Sequence, residues 1–208
     1  MNNEKQFIGL LGGGGHANEL AAYCGESVAF NAVSAEYLKD GLIDIDNPDN
    51  LYKETPVVAA VGSPALRAEL VHLWKGQEFA TVVAESAYVG KEVEIGEGTV
   101  VAPGSILSAR IRVGRHVLIN IGTTVSHDTN IEDFVTVGPG VSIAGNVSIG
   151  EGAFIGIGAT INNGLSIARG AVVGAGAVLL EDITEENSVY VGVPARKIRV
   201  NEGWLREI

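Results

Sequence analysis

From residue 89 to residue 179 an aliphatic side chain returns at every sixth position in one phase: Val89, Ile95, Val101, Leu107, and so on without a gap to Val173 and Leu179. A period of six matches neither an amphipathic helix nor a simple alternating strand, so each hexad must hold a short strand and a corner. The residue after the aliphatic is often small, as at Gly90, Gly96, Gly114, Gly138 and Gly156, which suits a corner crowded by the next coil. The residue two before it is mostly apolar or small, as at Val93, Thr99, Val117, Val135 and Val147, giving two inward side chains per hexad. Three hexads close a triangular coil of 18 residues, and coils stack at about 4.8 Å. Residues 18 apart then lie one above another. The fold class expected is mainly β, with a parallel β-helix over residues 86–183.

Ahead of the repeat, Phe7–Leu11 reads as a buried strand running into Gly12-Gly13-Gly14-Gly15-His16-Ala17, followed by a helical stretch to Cys24. A strand, a glycine loop and a helix place free backbone N–H groups and a helix dipole where a phosphate can sit. Gly12, Gly14 and Ala17 also meet the G-x-G-x-x-A spacing of dinucleotide folds. That version expects an acidic residue after the second strand, where Ser27–Phe30 is followed by Asn31-Ala32. Val57–Val61 reads as a third strand and Phe79–Val83 as a fourth, with a helix through Arg67, Leu70 and Leu73 between them. This is half of a doubly wound domain, so residues 1–85 are expected to form a small α/β Rossmann-like unit sized for one mononucleotide. His16 either touches a phosphate or closes the turn. In the closing segment, residues 184–208, Trp204 and Leu205 are expected to cap the open end of the β-helix.

The repeat holds His116 and His127, whose separation is not a multiple of 18, so they belong to different columns. His127 is followed by Asp128, and an imidazole with a neighbouring carboxylate is the minimal kit for a general base. The stacking rule puts Gly145 above His127 and Ala109 below, which leaves room for a substrate. It also stacks Pro139, Ile157 and Ala175 into an apolar strip for a long flexible ligand. A zinc enzyme on this scaffold needs convergent ligands that two non-coincident histidines do not supply, so no metal is expected. With 14 Lys and Arg against 25 Asp and Glu, the chain lacks a basic footprint for nucleic acid. The lone Cys24 and the lack of an apolar leader or span point to a cytoplasmic protein.

The glycine loop, the hexads, Ser126-His127-Asp128 and the terminal Val191-Gly192-Val193-Pro194-Ala195-Arg196 together resemble the bacterial sugar O- and N-acyltransferases of the sialic-acid O-acetyltransferase type. That group includes enzymes that N-acetylate nucleotide-linked 4-amino-4,6-dideoxy sugars. The resemblance implies a homotrimer of left-handed β-helices with acetyl-CoA, the co-substrate, in the groove between neighbouring prisms. It implies His127 as catalytic base with Asp128 as its partner, and acetyl-CoA contacts at Thr136, Gly145, Ile157 and Ala175. Acceptor contacts are implied at Gly14, Gly15, His16, Asn31, Gly62 and Asn120. Thr136 stands where several relatives carry a second histidine, and Asn31-Ala32 stands where UDP-sugar binders carry paired aspartates. The expected activity is N-acetylation of a UDP- or dTDP-linked 4-amino sugar. The alternatives are O-acetylation of sialic acid or another sugar hydroxyl, and a binding β-helix without catalysis.

Overall fold

A computed structural model describes residues 7–24, 27–47, 49–76 and 78–207. The chain is mainly β, with parallel sheets and few helices. The N-terminal part has β1 (Ile8–Leu11), α1 (Gly15–Cys24), β2 (Val28–Val33), β3 (Ile43–Asp44), α2 (Asn50–Lys53), β4 (Val57–Ala59) and α3 (Pro64–Leu73). The sheet is parallel in the order β3-β2-β1-β4. Strand alternation splits its side chains. Ile8 and Leu10 join Ala17 and Leu20 of α1 on one side, while Leu11 and Phe30 join Leu70 and Trp74 around α3 on the other.

The expected fourth strand, Phe79–Val83, divides between two structures. Phe79 forms a single bridge to Val57, whereas Val82–Val83 pairs with Val100–Val101 and opens the hexad prism. The fourth place in the N-terminal sheet goes to Ile43–Asp44, a stretch too short to show a period in sequence.

The prism has three faces, with sheets of 8, 6 and 5 strands. Strand partners along it are 18 residues apart, as in Leu118↔Thr136, Thr124↔Ser142 and Asn130↔Ser148. The hexad aliphatics from Val101 to Leu179 fill one continuous core. Val83 and Val89 remain 43% and 37% exposed because no coil lies beneath the first one. Small corner residues are a steric demand: a Cβ on Gly156 would stand 2.6 Å from the backbone nitrogen of Ala175 in the next coil.

Outward positions report what covers each face. On two faces they are polar or small, as at Ser142, Thr160, Ser148 and Ser166. On the third, Val100 and Leu118 are buried against Ile8, Leu10, Val58 and Ala60, so the N-terminal unit sits on that face. Consecutive apolar pairs such as Val100-Val101 and Leu118-Ile119 are the pattern of a strand covered on both sides.

The C-terminal tail departs from expectation. The prism is closed by Ile183, which bridges Ile167, and by the hairpin Ser188–Val191 and Arg196–Val200. Trp204 lies instead along a corner, where a Cβ on Gly152 would touch its ring, with Phe134 6.0 Å away and Arg169 over its face at 4.8 Å. Leu205 O then accepts from Ser63 Oγ at 2.7 Å, and Arg206 pairs with Glu69. The tail straps the prism to α3 because the glycine corner offers an aromatic ring a flat seat and the prism end is already filled.

Candidate active site

Each coil turns at corners where one residue takes the left-handed conformation. In one column of corners these residues are Glu92, Arg110, Asp128, Asn146 and Gly164, with φ from 50° to 73°. His127 precedes Asp128 there. Its corner is pinned from below by Asp128 N–H donating to Ala109 O (3.2 Å) and from above by Asn146 N–H donating to His127 O (2.8 Å). The ring lies directly on Gly145, where a Cβ would stand 2.6 Å from Cε1. The stacking of Gly145 on His127 expected from spacing is therefore present.

His127 Nδ1 lies 2.7 Å from Asp128 Oδ2. Arg110, one coil below, donates from Nε to Oδ1 at 2.7 Å and from Nη2 to Oδ2 at 2.9 Å. The hydrogen bonds from Arg110, then the one from His127, hold the Asp128 carboxyl far below the usual carboxylate range. An ionised carboxylate only accepts, so His127 Nδ1 carries the hydrogen of that bond, which leaves Nε2 as the ring position able to take up a proton. The His127 side chain is 60% exposed. Beside it a depression of about 530 Å³ is lined by Arg110, Arg112, Glu94, Asp128 and Asn130 among others. The His-Asp pattern in the sequence does not itself point to Arg110, which stands one 18-residue coil before Asp128.

A second corner column stacks Pro103, Ile121, Pro139, Ile157 and Ala175, each followed by a glycine at positive φ. Ile157 is 58% exposed and Ala175 is exposed, so the expected apolar strip is at the surface. Asn120 lies next to this column but is buried, its amide donating to Val137 O at 2.9 Å. Ile157, Ala175 and Asn120 thus share one corner, and His127, Asp128 and Gly145 another. Within one chain the structure does not bring the two groups together. His116, as spacing required, lies in the third column, buried between Phe79 (4.6 Å) and Phe134 (5.1 Å).

The glycine loop exposes Gly14 and Gly15, and a Cβ on either would meet open space. His16 follows, half-buried, with Nε2 unpartnered and Nδ1 3.5 Å from Glu19. Burial first, opposed by Glu19 and aided by Arg67, pushes its imidazole below the ordinary value. Asn31 ties the loop back, its amide donating to Gly12 O at 3.0 Å.

Thr136 departs most from expectation. It is 2% exposed, its hydroxyl donates to Gly62 O at 2.7 Å and accepts from Arg67 Nη2 at 2.8 Å, and no free face remains for a donor ligand. Arg67 on α3 is completely buried and sets this arrangement. It donates to Val61 O and Gly62 O on one side and to His116 O, Phe134 O and Val135 O of the prism on the other. Burial lowers its guanidinium to about 9. Its only sequence signal was a charged residue in register with Leu70 and Leu73. Among the described residues no three His, Cys, Asp or Glu groups are placed to hold a metal ion, and no helix is long and apolar enough to cross a membrane.

Residues 146–181 match the family model described as bacterial transferase hexapeptide (six repeats). A search of curated protein sequences found no match. Among solved structures, a mutant of perosamine N-acetyltransferase from Caulobacter crescentus, in complex with CoA and GDP-perosamine, is 30% identical. The alignment covers 93% of this chain and 97% of that one, with a TM-score of 0.82. The acetyltransferase domain of PglB from Neisseria gonorrhoeae is 26% identical over 93% of this chain and 100% of its own, with a TM-score of 0.81. WeeI from Acinetobacter baumannii is 28% identical over 92% and 99%, also with a TM-score of 0.81.

Proposed function

Because this chain belongs to the hexapeptide-repeat sugar N-acetyltransferases, we propose that it transfers the acetyl group of acetyl-CoA to the 4-amino group of a nucleotide-linked 4-amino-4,6-dideoxy sugar. The observation that carries the mechanism is the exposed His127, seated on Gly145 and hydrogen-bonded through Nδ1 to an ionised Asp128. The acceptor amine attacks the thioester carbonyl while His127 Nε2 takes its proton. The new C–N bond forms, the C–S bond breaks, and the imidazolium returns the proton to the departing thiolate. General-base help of this kind contributes about 10² to 10⁴ in rate, and orientation in a ternary complex contributes much of the rest. The Gly145 N–H, which finds no acceptor among the described residues, is the proposed oxyanion donor.

The separation of the two corners supports a homotrimer. The apolar column of one left-handed prism then faces the His127 column of its neighbour, and the pantetheine arm of acetyl-CoA lies between Ile157, Ala175 and Gly145. The Rossmann-like N-terminal unit takes the nucleotide at Gly14, Gly15 and His16, where open space lies over the glycines. Arg67 and Thr136 fix Gly62 relative to the prism, and Asn31 shapes the loop. The cytoplasm, where acetyl-CoA is available, is the proposed compartment.

The test is a screen of GDP-, dTDP- and UDP-linked 4-amino-4,6-dideoxy sugars and free sialic acid with acetyl-CoA, following thiol release and acetylated product. Turnover with at least one amino-sugar nucleotide is expected. Turnover confined to a sugar hydroxyl would replace this reading with O-acetylation.

A further inference from the structure

Three of the prism's ion pairs outside the His127 corner, Arg112–Glu94, Arg115–Asp133 and Arg169–Glu151, likewise join residues of adjacent coils. The Arg110–Asp128 pair differs from these in what its carboxylate does. The two arms of the guanidinium engage both oxygens, and one of those oxygens also holds the imidazole of His127. Both partners are largely exposed, at 55% and 41%, so the pair contributes little to stability.

The backbone favours a role for side chains here. In the apolar column every left-handed corner is glycine: Gly104, Gly122, Gly140, Gly158 and Gly176. In the His127 column the equivalent positions carry side chains, Glu92, Arg110, Asp128 and Asn146, at φ 50° to 60°, with glycine only at Gly164. Side chains at these stacked corners let Arg110 reach the carboxylate of Asp128 one coil above, which a glycine corner does not allow.

We infer that Arg110 is a positioning residue for acetyl transfer: it holds the Asp128 carboxylate in the orientation His127 requires and offsets part of its negative charge. The inference rests on His127 acting as the base. A carboxylate left alone beside an imidazole rotates freely and stabilises the imidazolium, which cannot accept a proton. A fixed cation on the far side of the carboxylate keeps the Nδ1–H hydrogen bond directional and reduces that bias toward imidazolium. The other charges around Arg110 are few. Lys91 and Glu92 come from the coil below, Glu92 acting on Arg110, and on the adjoining face Glu94 and Arg112 neutralise each other at 3.1 Å. Gly145 and Asn146 above, and Thr129 and Asn130 beside, carry no charge.

The test compares Arg110→Met, Arg110→Lys, Asp128→Asn, His127→Ala and the double variant Arg110→Met/Asp128→Asn, reading kcat and kcat/KM from pH 5 to pH 9. Arg110→Met should lower kcat about tenfold and move the acidic limb of kcat/KM upward by about half a pH unit or more. Arg110→Lys should restore the limb but only part of kcat, since an ammonium replaces the charge without the fork. Adding Arg110→Met to Asp128→Asn should cost nothing further, because the two act as a unit. Wild-type kcat and limb in Arg110→Met, with His127→Ala inactive, would overturn the inference alone. A loss of kcat with an unmoved limb would also overturn it, since Arg110 would then touch substrate directly. Near-normal activity in His127→Ala would instead remove the base itself and the inference with it.

Discussion

Replacing Gly145 with alanine places one methyl group against the ring of His127, the proposed base. The added Cβ would lie 2.6 Å from Cε1, 2.8 Å from Nε2 and 3.1 Å from Nδ1 of His127. Carbon–carbon contact settles at about 3.5–4.0 Å, so the imidazole must retreat by roughly 1 Å. It is 60% exposed and free to do so, but its hydrogen bond to Asp128 is 2.7 Å and lengthens beyond useful range if the ring tips away. A misplacement of about 1 Å costs on the order of 100-fold in rate, or about 2.7 kcal/mol in the barrier. Gly145 is not among the residues at positive φ, so alanine fits its backbone and the melting temperature should stay within about 2 °C. Initial rates of thiol release at saturating substrates give kcat, with Asn163→Ala, one coil higher in the same column, as the control. A kcat for Gly145→Ala within threefold of wild type would show that ring placement does not limit the reaction.

Other consequences follow from the same packing. Arg67→Met leaves His116 O, Phe134 O and Val61 O without their donor, at about 1–3 kcal/mol each, partly offset by removing a buried charge. A net loss of about 3 kcal/mol should lower the melting temperature by roughly 6–12 °C, measurable by calorimetry. Burial lowers His116 from 6.5 to about 4, so the unfolded chain gains a proton before the folded one as pH falls. Stability is therefore complete above about pH 6.5 and declines toward pH 4 by on the order of 2 kcal/mol, with His16 acting in the same direction. His116→Phe, which breaks no side-chain hydrogen bond among the described residues, Nδ1 being buried without a partner, should flatten that slope in urea melts at pH 5 and 7. Ile157→Ser should raise the KM for acetyl-CoA about tenfold with kcat preserved, as expected for losing one apolar contact of about 1.5 kcal/mol.

The prism was legible in advance because it is nearly a polymer. Once the six-residue phase is known, an offset of 18 names each residue's neighbour, and it placed Gly145 on His127 and kept His116 apart. Applied to Asp128 as well as to His127, the same rule would have found Arg110. Contacts between the N-terminal unit and the prism follow no such period. The family resemblance puts Thr136 against acetyl-CoA, whereas Arg67 and Gly62 cover it. The apolar outward residues Val100 and Leu118 did mark the covered face, but spacing alone does not say what covers it. The path of Trp204 is equally non-local: it depends on the bare glycine corners at Gly152 and Gly170 and on the placement of α3.

The most direct test of His127 as the base is a single-turnover measurement of His127→Ala saturated with acetyl-CoA and an active amino-sugar nucleotide. The expected rate is at least about 100-fold below wild type, with partial recovery on addition of imidazole and unchanged acetyl-CoA affinity. A rate within a few-fold of wild type, with both substrates bound, would contradict it.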